Sequence, residues 1–222
     1  MHPALKGFLT LILSTALVGL ELYLLGIAIG LGTGFHDLVI AGLIAGFLYG
    51  LEAGILGIYA LHTGKGWLEL IVDHTWSLLN TLFGLVVGNL IYIFVGTPSR
   101  AESEDQGWIV FKSRGSGSFG TTVLQTLGTV NLGGAGAHER IHLMQARIFG
   151  PLYLPLFALN YVVNFLVQCL WCATLGWILK MTGARRTVNL EPPASSVVSG
   201  FFGWIYAATF FELWAYGAQS TP

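Results

Sequence analysis

Apolar stretches of about 20 residues or more dictate most of what this chain can become. A helix of that length covers the hydrocarbon of a bilayer while making every backbone hydrogen bond internally. Five stretches qualify: 7–31, 38–61, 71–95, 152–179 and 197–217. Charged residues are only 9% of the chain and hydrophobic ones 54%, against about 25% charged in soluble domains. The expected fold is therefore a membrane all-α protein, one polytopic domain over 1–222 with about five transmembrane helices. A net charge of −1 offers no electrostatic case for nucleic acid; the lipid bilayer is the expected surrounding. The first stretch follows Lys6 as a signal peptide would, but it is longer than an h-region and has no clear small-residue cleavage site. It reads as a retained span.

Glycine spacing says how such helices pack. Gly42, Gly46, Gly50 and Gly54 recur every fourth residue, and Gly26, Gly30, Gly34, Gly84 and Gly88 extend the theme. Small residues at that spacing let helix backbones approach closely in lipid. Simple alternation of five spans puts Lys6, Lys65, Lys180, Arg185 and Arg186 on one side, which the positive-inside rule makes cytoplasmic. The loop 97–137 is then expected outside, although Arg100, Lys112, Arg114, Arg140 and Arg147 run against that bias.

That loop is the expected extramembrane segment, and it has β character. Residues 98–107 read as a polar loop, 108–111 as a strand, 113–120 as a Gly- and Ser-rich turn, and 121–132 as a second strand. Together they predict a short β-hairpin-like insertion. After Gly133-Gly134-Ala135-Gly136 comes His138-Glu139-Arg140-Ile141-His142, an H-E-x-x-H sequence, in a segment that stops at Gly150-Pro151. On a helix His138 and His142 share one face, about 5–6 Å apart at Cβ. Two imidazoles so placed reach one Zn²⁺, and Glu139 beside them can take a proton from the attacking water. A strand followed by an H-E-x-x-H helix is the order in zincin metalloproteases, whose edge strand holds the substrate backbone. So short a loop needs walls from the membrane helices.

A catalytic zinc wants a third protein ligand and an open position. The H-x-x-G-x-x-H continuation of metzincins is absent: Gln145 stands three residues after His142, and no histidine follows. Past residue 142 the acidic residues are Glu191 and Glu212. Glu191 falls on the opposite side in the alternating arrangement, whereas Glu212 lies near the same membrane face as the motif. His138, His142 and Glu212 would make a His₂Glu set. The competing reading of Glu212 is a protonated carboxyl bonded to a neighbouring helix.

The segment His138-Glu139-x-x-His142-x-x-Gln145, with Gly150-Pro151-x-Tyr153-x-Pro155 and a late Glu212-x-Trp214-Ala215, resembles a group of small bacterial integral membrane proteins with an H-E-x-x-H helix. The resemblance covers the last ninety or so residues; Asp73-His74-Thr75-Trp76-Ser77-Leu78-Leu79-Asn80 extends it upstream. It implies a gluzincin-like zinc metallopeptidase acting on peptide or membrane-protein substrates, multi-pass in a bacterial plasma membrane. Ile141 departs from the common H-E-x-G-H form, and the chain lacks the N-x-x-P-x-x-x-L-D-G motif of site-2 proteases.

Other polar residues keep further readings open. Glu21 and Glu52, near mid-membrane in the first two stretches, could form an ion or proton path in a transporter. Asp73-His74 reads as a second metal centre or a carboxylate–histidine pair, on the side away from the motif. Asn80 and Asn89 are expected to hydrogen-bond between helices, and Gln145 to orient a ligand or to bond backbone. Cys169 and Cys172 sit in an apolar run without a second pair and read as small hydrophobes. With six histidines the chain is short of the supply that a membrane di-iron hydroxylase needs. A non-catalytic binding or assembly protein is the remaining alternative.

Overall fold

A computed structural model describes residues 1–113, 126–132, 137–174 and 197–219. The chain divides into two compact units, Met1–Pro151 and Leu152–Pro222. Mainly helical, with one small sheet, it has four helices long and apolar enough to cross a membrane among the described residues: Pro3–Ala28, Phe35–Leu56, Leu78–Val95 and the run His138–Trp171. The expected set of five is not reproduced, and the departures have local causes.

In the first unit α1 (Pro3–Ala28) opens with Pro at its first position and with His2 Nδ1 accepting from the Ala4 N–H. The second helix, α2 (Phe35–Leu56), closes on Gly57 in the left-handed region at φ 69°. Its glycine strip lies directly on α1. A Cβ added at Gly46 would sit 2.6 Å from the Ser14 carbonyl oxygen, and one at Gly54 would sit 2.6 Å from that of Gly7. The strip is thus a backbone-to-backbone seam, as its spacing predicts. Gly46→Leu should force the pair apart, at a cost of about 1–3 kcal/mol or more for overpacking. The thermal midpoint of the purified variant in detergent should fall by several degrees.

The predicted span 71–95 is interrupted. Residues 71–74 belong to α3 (Gly64–His74), and the helix that is long enough starts at Leu78. It runs as α4 (Leu78–Phe83), a π-helical turn (Gly84–Gly88) and α5 (Asn89–Val95). The break at 75–77 arises because Trp76 and Ser77 donate side-chain hydrogen bonds to a different helix (below), a demand that a hydropathy average does not register.

The sheet is four-stranded and mixed, in the order β1-β2-β4-β3. Strands β1 (Gly96–Pro98) and β2 (Ile109–Ser113) are antiparallel, with Gly96 opposite Ser113. Between them 98–107 is not a loop as expected: α6 (Arg100–Gln106) forms there and ends on Gly107 at φ 77°. The expected single strand 121–132 is, over its described residues, a tight β3 (Thr126–Leu127) and β4 (Val130–Leu132) pair turning at Gly128. Strand β4 lies parallel to β2, Ile109 opposite Val130, so the insertion is not a simple hairpin. The helix 78–95 covers the sheet through its small residues: a Cβ on Gly84 would meet the Thr129 N at 2.9 Å, and one on Gly88 the Val130 side chain at 3.1 Å. Ile109, Phe111, Val130 and Leu132 then share a core with Tyr49, Tyr59, Leu70 and Tyr92.

The expected sidedness also changes. Lys6 Nζ is 2.9 Å from Glu104 Oε1, so the start of α1 and the helix α6 within the expected outer loop cannot lie on opposite faces of a bilayer. The Lys6 ammonium holds the Glu104 carboxyl below its ordinary value. The contribution of this half-exposed pair is present above the unfolded-state pKa and is lost as pH falls through the folded one.

In the second unit α8 (Tyr153–Ala173) takes up the expected span 152–179 as far as residue 174, where the described residues stop. Cys169 is half-buried on it. The expected span 197–217 is broken into α9 (Val197–Ala207) and α10 (Phe210–Gln219). Polar side chains satisfy the break: Asn160 Oδ1 accepts from the Phe210 N–H at 2.8 Å, and Asn164 Nδ2 donates to the Ile205 carbonyl at 3.1 Å.

Candidate metal centre

The H-E-x-x-H residues lie on a helix, α7 (Ala137–Phe149), as the spacing predicts. What fixes that helix is the segment 73–80. Helix C-termini leave four carbonyls without intrahelical partners, and here side chains from elsewhere reach them. Trp76 Nε1 donates to the Ile148 carbonyl at 3.0 Å, and Ser77 Oγ to that of Ala146 at 3.1 Å. Asn80 Nδ2 reaches both Ala146 O at 3.2 Å and Gly150 O at 2.8 Å. Gly150 itself has φ 53°, and a Cβ there would lie 2.4 Å from the Trp76 ring, so glycine is required on both counts.

Asp73 is part of the same clamp. Its carboxylate takes a two-pronged ion pair from Arg147 on α7, with Nε to Oδ1 and Nη2 to Oδ2 both at 2.8 Å. Arg147 also reaches Glu69 at 2.9 Å and the Gly107 carbonyl at 3.2 Å. Tyr59 donates to Asp73 at 2.9 Å; burial first, and the Asp73 charge second, push its hydroxyl well above the ordinary tyrosine value and keep it a donor. The expected Asp73–His74 pairing is therefore replaced by Asp73–Arg147, next to the motif helix rather than away from it. His74 turns its Nδ1 to the Leu70 carbonyl at 2.6 Å instead. Glu52 bonds Asn89 Nδ2, one turn from the end of α2 rather than at mid-span.

With the helix held, the two imidazoles meet. His138 Nε2 and His142 Nε2 are 3.1 Å apart, and both side chains are buried. Two nitrogens on a tetrahedral zinc, each about 2.0–2.1 Å from the ion, would be about 3.4 Å apart. His142 Nδ1 lies 2.9 Å from Gln145 Oε1. An amide oxygen only accepts, so Nδ1 carries the hydrogen and Nε2 presents its lone pair toward His138. Gln145, fully buried three residues on, is the orienting partner.

Glu139 is placed from the sheet. Thr126 on β3 donates its hydroxyl to Glu139 Oε2 and accepts from Asn131 Nδ2 at 3.1 Å. Thr126 and Asn131 face each other across the β3–β4 pair, so strand register sets the carboxylate. Glu212, in the first turn of α10, is buried; its N–H lies 3.4 Å from Thr209 Oγ1, and Tyr206 hydrogen-bonds its carboxylate. His138 and His142 in the first unit and Glu212 in the second are each buried, and each offers a ligand atom of a type that binds a metal ion. Sequence reasoning missed Thr126, Asn131 and Arg147, whose roles depend on partners distant in the chain or on strand register.

Comparison with protein-family models, with curated proteins and with solved structures gives no match. The reading of the centre rests on its own geometry.

Proposed function

We propose that the protein is a membrane-embedded zinc metallopeptidase that hydrolyses peptide bonds near the membrane interface. The observation that carries this reading is the pair of facing Nε2 atoms on α7, with the other His142 nitrogen committed to Gln145. Two imidazoles and a carboxylate are a donor set that suits Zn²⁺. His138, His142 and Glu212 hold the ion in this reading; when bound, it supplies Lewis acidity to the scissile carbonyl and acidifies water.

The chain's own contribution is the proton. Thr126 occupies Glu139 Oε2, which leaves Oε1 to take a proton from the attacking water as the new O–C bond forms. The same atom returns that proton to the amine nitrogen as the C–N bond breaks. Strand β3, at the edge of the sheet, offers backbone to an extended peptide. Transport through Glu21 and Glu52 gains no support, since Glu52 is engaged by Asn89.

Metal content of the purified, detergent-solubilised protein is the test. About one zinc per chain is expected, lost in both His142→Ala and Glu212→Ala. Loss in His142→Ala alone would remove Glu212 from the ligand set. No metal in the wild type, even after incubation with zinc, would overturn the proposal.

A further inference from the structure

The helix α6 collects ion pairs from nearly every other part of the first unit. Glu104 takes Lys6 of α1 at 2.9 Å, Glu102 takes Lys112 of β2 at 3.0 Å, and Asp105 lies 3.7 Å from Arg140 of α7. Gly107, which caps α6, accepts from Arg147, and Arg147 leads through Glu69 to Lys65 at 3.8 Å. Arg100 is on α6 itself. Six cations, namely Lys6, Lys65, Arg100, Lys112, Arg140 and Arg147, are thereby gathered at the end where α1 begins and α2 finishes. Lys6 Nζ also lies close to Gly57, the cap of α2.

The far end of the α1–α2 pair is bare of positive charge: from Gly7 to Gly64 there is no Lys or Arg. From Lys6 to Ala28 is about 33 Å of helix at 1.5 Å per residue, close to the roughly 30 Å of hydrocarbon. The two ends are thus on opposite sides of the bilayer. Lys and Arg in short connections mark the cytoplasmic side. Arg114, Lys180, Arg185 and Arg186 lie outside the described residues; even counted wholly for the other side, they leave six against four.

We infer that the end bearing His138, Glu139 and His142 faces the cytoplasm, and that its substrates are peptide segments presented on the cytoplasmic side of the membrane. The sidedness stands on where the ion pairs and the sequence place Lys and Arg, and not on the metal. Only the description of the substrate as peptide rests on the metallopeptidase reading.

The test is cysteine labelling in intact cells with a membrane-impermeant maleimide, in a Cys169→Ser/Cys172→Ser background. His62→Cys and Asp105→Cys, at exposed positions that leave every Lys and Arg in place, report the site's end; Thr33→Cys reports the other. Expected is labelling of Thr33→Cys in intact cells, and of His62→Cys and Asp105→Cys only after permeabilisation. Labelling of His62→Cys or Asp105→Cys in intact cells would overturn the inference. Metal content measured on the same variants is a separate readout. A wrong sidedness with metal retained leaves the metal centre standing, and the right sidedness without metal defeats the peptidase reading alone.

Discussion

Glu139→Gln is expected to keep the metal and to lose about 10²–10⁴ in turnover on a peptide substrate, the usual contribution of a positioned acid–base group. The substitution is nearly isosteric, and its amide oxygen can still accept from Thr126. His138, His142 and Gln145 are untouched, so their arrangement should persist. What disappears is the only role given to Glu139 here, the shuttling of one proton from water to amine. Hydrolysis and metal content measured on one preparation separate the outcomes. Unchanged turnover with metal present would remove Glu139 as the base, whereas loss of metal would make it a ligand.

The second large effect belongs to the clamp. Arg147→Met is expected to destabilise the protein by about 3–5 kcal/mol, the cost of leaving a buried charge without its partner. Asp73 is 1% exposed and loses both prongs of its ion pair, keeping the Tyr59 hydroxyl as a donor. For a chain of this size the thermal midpoint should drop by roughly 10 °C. Asp73→Asn added to Arg147→Met should restore part of the loss, because a neutral amide costs less to bury than an unpaired carboxylate. A midpoint unchanged in the single variant would show that the clamp does not hold α7. The clamp also bears on the metal, since Arg147 sits five residues beyond His142 on the same helix.

Several features were legible in the sequence because they depend on neighbours in the chain. The spacing of His138 and His142 specifies one helical face, and α7 presents it. The run Gly42, Gly46, Gly50, Gly54 specifies a close helix seam, and α1 lies on it. Residues 108–111 read as a strand, and β2 occupies 109–113. Glu212 emerged by elimination among the few carboxylates after the motif, and it is buried in the second unit.

Other features depend on contacts across long separations, and the sequence carried no local sign of them. Hydropathy joined 71–95 and 197–217 into continuous spans. The breaks are stabilised by hydrogen bonds from Trp76 and Ser77 to α7, and from Asn160 and Asn164 to the α9–α10 turn. The parallel pairing of β2 with β4 has no local turn to announce it. Sidedness failed for a similar reason: counting spans treats each apolar run as one crossing, whereas Lys6 and Glu104, 98 residues apart, are in contact.

The sequence by itself determined a mainly helical chain with helices long and apolar enough to cross a membrane, a close helix seam and two histidines on one face, because these follow from side-chain periodicity and the length of apolar runs. Tertiary structure decided which imidazole nitrogen faces its partner, what holds Glu139 and what clamps α7. Hydrogen bonds and ion pairs are directional and short, so their partners exist only once distant segments have been brought within about 3 Å.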